Sequence, residues 1–274
     1  MGYGVRVSDH DFRLHPPDAR LLEGRRALVT GASSGIGQGT AFELAAHGAA
    51  VAINHRGKVD DAHAVVAAIE AAGGRAVPVE MDIAIEADVQ RGFAEAREAF
   101  GGLDLLVNNA GVEKPFHLVD MPLEEWEKVI AVNLTGAFLC TREAARIMRA
   151  DETEGAIVMI SSVHEVIPWE QFSHYCASKG GLKLFAQSVA KELAPHGIRV
   201  ASVAPGAIAT PINAKVLDDP KERRRVEDEI PLGRWGQVSD VAQAVAWVAS
   251  DRARYVVGAT LLVDGGMTLY PNFV

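Results

Sequence analysis

Tyr175 and Lys179 stand four residues apart in Tyr-Cys-Ala-Ser-Lys, a spacing that puts both on one face of an α-helix. A free phenol, with a pKa of about 10, is a poor base at neutral pH, and a fixed ammonium beside it favours the phenolate. The pair is suited to moving a proton on and off an alcohol. Ser162, in a Ser161-Ser162 pair thirteen residues upstream, could hydrogen-bond the reacting oxygen. Chance puts Tyr/Lys pairs on many helix surfaces, so the meaning of this one rests on its surroundings.

The surroundings include a glycine-rich turn, Thr30-Gly31-Ala32-Ser33-Ser34-Gly35-Ile36-Gly37. Its glycines permit a tight turn and close approach of a pyrophosphate, and a helix N-terminus after it offers free N–H groups and a positive dipole end. Placed between a first strand and a first helix, it reads as a dinucleotide-binding loop. The second strand ends in Asn54-His55-Arg56-Gly57-Lys58. No carboxylate is present there to hold a ribose 2′-hydroxyl, and Arg56 and Lys58 can pair with a 2′-phosphate. NADP is therefore expected, with or without NAD. Asp82, beside Ile83, follows the third strand, where it can accept from an adenine amino group. Asn108-Asn109-Ala110-Gly111 ends the fourth, where small residues admit a ribose.

The elements that must position these residues alternate. Short apolar strands are expected at 27–30, 50–54, 75–81, 103–107, 156–161, 198–204 and 260–263. Helices are expected at 36–47, 60–72 (capped by Asp60 and stopped by Gly73-Gly74), 86–100, 123–149, 173–193, 218–229 and 238–250. This order implies an α/β fold, a single doubly wound Rossmann domain with a seven-stranded parallel sheet and helices on both faces. The domain is taken to span residues 23–274, after an N-terminal extension, residues 1–22. That extension is either a loose tail or an arm on a neighbouring subunit.

Of the 274 residues, 49% are hydrophobic and 23% charged, an ordinary globular composition, and the net charge is −9. The acidic balance argues against a nucleic-acid or anionic-membrane partner. Two cysteines, Cys140 and Cys176, suggest no disulfide framework, and a reducing, cytoplasmic location fits. No apolar run is long enough to span a bilayer, and residues 1–17 carry no secretory h-region. The nine histidines show no zinc-binding spacing, so no metal is expected.

In order and spacing, Thr-Gly-x-x-x-Gly-x-Gly at 30–37, Asn-Asn-Ala-Gly at 108–111, Asn133, Ser162, Tyr175, Lys179 and Pro205-Gly206 resemble the short-chain dehydrogenase/reductase family over about residues 23–274. The resemblance implies roles. Tyr175 is the general acid/base, and Lys179 lowers its pKa and bonds the nicotinamide ribose. Ser162 polarises the substrate oxygen, and Asn133, by itself readable as merely structural, supports a water that links Lys179 to solvent. It also implies that Gly31, Ser33, Ser34, Gly35, Ile36, Gly37, Asp82, Ile83, Asn109, Ala110, Gly111, Pro205, Gly206, Ile208 and Thr210 bind the cofactor. A homotetramer is implied too.

Segments outside that shared set are similar to the glucose 1-dehydrogenases of the family: 109–115, 162–169, 206–214 and 264–271. They place polar Glu113, His164 and Asn213 beside the expected site, where a hexose would offer hydroxyls. The expected reaction is oxidation of the C1 hydroxyl of β-D-glucose, or a related aldose, to the lactone. Glu165 and Trp169 are read as structural residues at a subunit contact. Residues 211–231 are read as a lid over the substrate or a rigid helical pair. The N-terminal arm is longer, and the C-terminus shorter, than such dehydrogenases need. Two alternatives stand beside this reading: an NADPH-dependent carbonyl reductase of the 3-oxoacyl-carrier-protein type, and a non-catalytic dinucleotide sensor.

Overall fold

Within each strand, alternate residues point to opposite faces of a sheet, and both faces here are apolar. The computed structural model of the chain describes residues 20–269. Its strands are β1 (Arg26–Val29), β2 (Ala50–His55), β3 (Arg75–Glu80), β4 (Leu105–Asn108), β5 (Gly155–Ile160), β6 (Ile198–Pro205) and β7 (Thr260–Val263). They form one seven-stranded sheet in the order β3-β2-β1-β4-β5-β6-β7, and each neighbouring pair is parallel.

The helices are α1 (Gly35–Ala46), α2 (Val59–Ala71), α3 (Glu86–Phe100), α4 (Leu123–Ile130), α5 (Ala137–Ala150), α6 (Ser173–Leu193), α7 (Ala214–Asp218), α8 (Pro220–Asp228) and α9 (Val238–Ala249). On one face Ala27, Val29, Val51, Ile53, Val107 and Val158 pack against α1, α2 and α9. On the other Leu28, Ala52, Leu106, Ile157, Met159 and Val200 pack against α3, α5 and α6. The strand alternation thus divides the core into two layers, the doubly wound architecture that the β–α order implies.

Several boundaries differ from the expected ones, each for a local reason. Asp60 is not the cap of α2. Lys58 holds that position without a side-chain hydrogen bond, and Asp60 and Asp61 lie in the first turn, where carboxylates complement the helix dipole. The stretch 123–149 is two α-helices joined by a π-turn, Ala131–Gly136. The expected 218–229 helix is α8, shortened to Pro220–Asp228, and a separate short helix, α7, precedes it. Asp219 separates them by accepting from the N–H groups of Lys221 (2.9 Å) and Glu222 (3.3 Å), and Pro220 starts α8. Leu22, counted with the N-terminal extension, packs in the core, and its N–H donates to the His47 carbonyl at 3.0 Å. The rest of that extension through residue 19, and the C-terminal residues 270–274, lie outside the described residues.

The chain runs outward from β1 to β3, then returns to place β4 on the other side of β1. The crevice at the C-terminal ends of β1 and β4 is where such sheets bind ligands.

Candidate active site

The crevice opens into a cavity of about 1010 Å³ along the C-terminal edge of the sheet, large enough for a dinucleotide together with a small substrate. At one end, Gly31, Ser33, Ser34, Gly35 and Ile36 line it. Gly31 and Gly35 adopt positive φ (62° and 57°), and a Cβ on Gly31 would lie 3.0 Å from the Ala110 Cα. Gly37 does not line the cavity. It lets α1 seat against the loop, since a Cβ there would lie 2.4 Å from the Gly31 carbonyl oxygen. The Ser34 side chain makes no capping hydrogen bond, so the first-turn N–H groups of α1 remain available to a phosphate.

Two side chains join the loop to its neighbours. The Thr30 hydroxyl accepts from the N–H groups of Asn109 (2.9 Å) and Ala110 (3.0 Å), and the Asn109 amide donates to the Thr30 carbonyl at 2.8 Å. Buried Asn54 accepts from the Gly31 N–H at 3.0 Å and donates to the Met81 carbonyl at 3.0 Å. Asn54 is therefore spent on fixing the loop, which leaves the ribose edge to Arg56 and Lys58, both in the cavity wall. Arg56 reaches Asp82 at 3.4 Å, while the other Asp82 oxygen accepts from the Ala84 N–H at 3.0 Å. Asp82 is thus shared between Arg56 and its own turn. Ile83, Asn109, Ala110 and Gly111 complete this half. Tight glycine turns, an uncapped helix N-terminus and cations at the ribose edge fit a phosphorylated dinucleotide.

In the other half, Tyr175, Lys179, Ser162, Glu113, His164, Asn213, Pro205, Gly206, Ile208 and Thr210 line one wall system. Buried Lys179 donates from Nζ to the Ile160 carbonyl at 2.9 Å. Burial pulls its pKa down to about 8, against the opposing pull of Glu113 and Glu165. The Tyr175 phenol is pushed up, first by burial and then by the Glu113 carboxylate, while the Ser162 hydroxyl beside it favours the phenolate. This departs from the expectation that Lys179 depresses the phenol. In the protein alone desolvation dominates, and Tyr175 is a neutral proton donor at pH 7.

Glu113 is raised by burial and held partly down by Lys179. Burial lowers His164, and its Nδ1 lies 3.2 Å from the Ile167 carbonyl. A carbonyl can only accept, so Nδ1 carries the proton, and the neutral ring keeps Nε2 as an acceptor. The Asn213 amide donates to the Ile208 carbonyl at 2.9 Å.

Asn133 sits in the π-turn, buried behind the cavity wall and not in it. Its amide oxygen accepts from the Val112 N–H at 2.8 Å, and its nitrogen donates to the Val112 carbonyl (3.0 Å) and the Ser178 hydroxyl (3.1 Å). The side chain is occupied in clamping Val112, in the loop after β4, to the helix of Tyr175 and Lys179. A link between Lys179 and solvent would have to use other atoms of this π-turn.

Trp169, read from the sequence as structural, belongs to the cavity wall. Its ring stacks on His164 (centroids 4.4 Å, 12°) and on Phe172 (3.7 Å, 14°), and meets the Tyr175 ring edge-on at 6.1 Å. Phe172, Arg225 and Glu229 also line the cavity and escaped the sequence reading. The three-residue spacing of Trp169, Phe172 and Tyr175 was a signal for the aromatic wall. Nothing local marked Arg225, which α8 carries in from the 211–231 region.

This fold, with its glycine loop and with Tyr175 and Lys179 together in the cavity wall, suits a dinucleotide-dependent oxidoreductase. A family model described as "Enoyl-(Acyl carrier protein) reductase" matches residues 31–268. The chain is 46% identical to 3beta-hydroxysteroid dehydrogenase 1 of Eggerthella lenta, over 92% of this chain and 97% of that protein. It is 44% identical to glucose 1-dehydrogenase of Gluconobacter oxydans, over 91% and 94%. Among solved structures, a gluconate 5-dehydrogenase from Burkholderia cenocepacia in complex with NADP and tartrate superposes with a TM-score of 0.88 at 34% identity, covering 94% of this chain and all of that one. The chain belongs to the short-chain dehydrogenase/reductase family, and it is an oxidoreductase of that family.

Proposed function

We propose that the protein is an NAD(P)-dependent dehydrogenase that oxidises the C1 hydroxyl of β-D-glucose, or of a related aldose, to the lactone. The observation that carries this reading is the company Tyr175 keeps. Glu113, neutral His164 and Asn213 line the same cavity. These groups suit a substrate dense in hydroxyls. A steroid skeleton would leave the half-buried Glu113 carboxylate unpaired, which is costly. The His164–Trp169 stack adds a flat apolar surface that suits the C–H face of a pyranose.

Bound NAD(P) would supply the hydride acceptor. Ser162 Oγ would donate to the C1 oxygen and hold it beside Tyr175 Oη. Tyr175 Oη would take the hydroxyl proton as hydride leaves C1, and would return one in the reverse direction. Lys179 would hold the ribose and, as an ammonium, favour the phenolate that forms. Residues 211–231, which carry Ile212, Val216 and Arg225 into the cavity wall, would act as the lid.

Exposed Leu261 and Leu262 on the edge strand β7 support a homotetramer, because an uncovered apolar edge invites a subunit contact. No helix among the described residues is long and apolar enough to cross a membrane, and a cytoplasmic enzyme fits the free thiols of Cys140 and Cys176.

The test is a panel of aldoses, 3β-hydroxysteroids and acetoacetyl thioesters, each assayed with NAD and NADP. Turnover of an aldose with the highest kcat/KM is the expected result. A higher kcat/KM for a steroid or a thioester would overturn the sugar assignment and leave the dehydrogenase class standing. Dinucleotide binding with no turnover at all would favour the sensor reading.

A further inference from the structure

Glu165 lies one short helical turn beyond Ser162. Its N–H donates to the Ser162 carbonyl at 3.0 Å, and the Ser162 hydroxyl accepts from the intervening His164 N–H at 3.2 Å. Its carboxylate is almost wholly buried, with a side-chain exposure of 1%, and one oxygen lies 3.3 Å from Lys183 Nζ. The other oxygen is buried and has no hydrogen-bond partner among the described residues. A buried carboxylate with half its accepting capacity unused is costly and calls for a reason.

The reason lies on α6. Tyr175, Lys179 and Lys183 follow one another at four-residue intervals on a single helix face. Lys183 therefore holds Glu165 one turn beyond Lys179, and the Lys183–Glu165 bridge fastens the Ser162 turn to the helix of the other two groups. Lys179 itself is buried against the Ile160 carbonyl, two residues before Ser162. We infer that Glu165 is a positioning residue of the proton-transfer site: its buried carboxylate, held by Lys183, fastens the Ser162 turn to α6 and sets a negative charge one turn beyond Lys179. This inference rests on the proposal that Ser162, Tyr175 and Lys179 carry the proton transfer.

The charges that bear on Lys179 come from three directions. Glu113 faces it from the loop after β4 and Glu165 from the turn after β5, and both favour the ammonium against its burial. Tyr175 and Lys183 flank it on α6 itself. Glu165 in turn faces two cations, Lys183 and Lys179. Neutralising Glu165 removes one of two anions that oppose desolvation. Removing Lys183 leaves the Glu165 charge to act on Lys179 alone. The two changes should therefore act in opposite directions.

Thermal unfolding of the full chain across pH 7 to 11 tests this without any substrate. The difference between wild type and Lys179→Met isolates the titration of Lys179. In Glu165→Gln the pH at which that difference begins to change should fall by about half to one pH unit, the effect of one charge removed at several ångströms. In Lys183→Met it should rise. On whichever alcohol the enzyme oxidises best, the pH midpoint of kcat/KM should move the same two ways. Equal loss of stability in both variants, with neither midpoint moved, would mean a merely structural bridge and would overturn the inference. If Glu165→Gln does not fold, Lys183→Met with an unmoved or lowered midpoint has the same consequence. Failure of aldoses as substrates would sink the sugar assignment while leaving the unfolding test intact.

Discussion

The Lys179 ammonium lies 5.6 Å from the centre of the Tyr175 ring and spends a hydrogen bond on the Ile160 carbonyl. The lysine is thereby held over the ring face, tied to the strand end that leads into Ser162. Lys179 is buried and Tyr175 half-buried, and the loss of water moves each toward its neutral form. The protein thus holds a neutral phenol and a weakened ammonium in place.

Tyr175→Phe keeps the aromatic wall and deletes only the proton carrier. We expect kcat to fall by about 10²–10⁴, the usual worth of a positioned acid/base. Dinucleotide binding, measured by fluorescence titration, should stay within a few-fold of wild type. Retained turnover would rule out Tyr175 as the proton carrier.

Lys179→Met should abolish activity and yet stabilise the fold at pH 7. In the folded protein Lys179 releases its proton near 8, and in the unfolded chain near its ordinary 10.5. Between those values the unfolded chain binds more protons, so the charge-burial cost present at pH 7 is relieved as pH rises through the window. We expect a gain on the order of 1–3 kcal/mol at pH 7 that shrinks toward pH 10.5, with the lost Ile160 hydrogen bond offsetting part of it. Denaturant unfolding at pH 7 and pH 10.5 measures both values, and a gain that does not shrink would contradict the assignment.

Arg56→Asp should raise the KM for NADP by about 10- to 100-fold, the loss of a charge-assisted hydrogen bond. The KM for NAD should change less. The companion change Asp82→Asn releases the carboxylate that Arg56 faces at 3.4 Å, and should tighten NADP. Steady-state kinetics with both cofactors decide the matter. An unchanged NADP KM in Arg56→Asp would show that the cation is merely solvated.

Much of the molecule was legible in the chain because its signals are local. The glycine turn, the apolar strand runs and the Tyr175/Lys179 spacing are each set within a few residues, and the seven-stranded order of β and α followed from them. What escaped depends on contacts between distant segments. The π-turn at 131–136 is invisible in a stretch that reads as one helix, yet it carries Asn133 to Val112 and Ser178. Trp169 reads along the chain as a structural residue, and only the fold stacks it with His164 and Phe172 in the cavity wall.

By itself the sequence determined the kind of chemistry, because proton and hydride transfer demand particular residue types at helical and loop spacings. Only the tertiary structure decided the charge states. Whether Tyr175 is lowered or raised depends on how much water it has lost and which charges surround it, and only the fold buries the Glu165 carboxylate beside Lys183. Burial and charge proximity come from folding distant segments together, and no spacing along the chain encodes them directly.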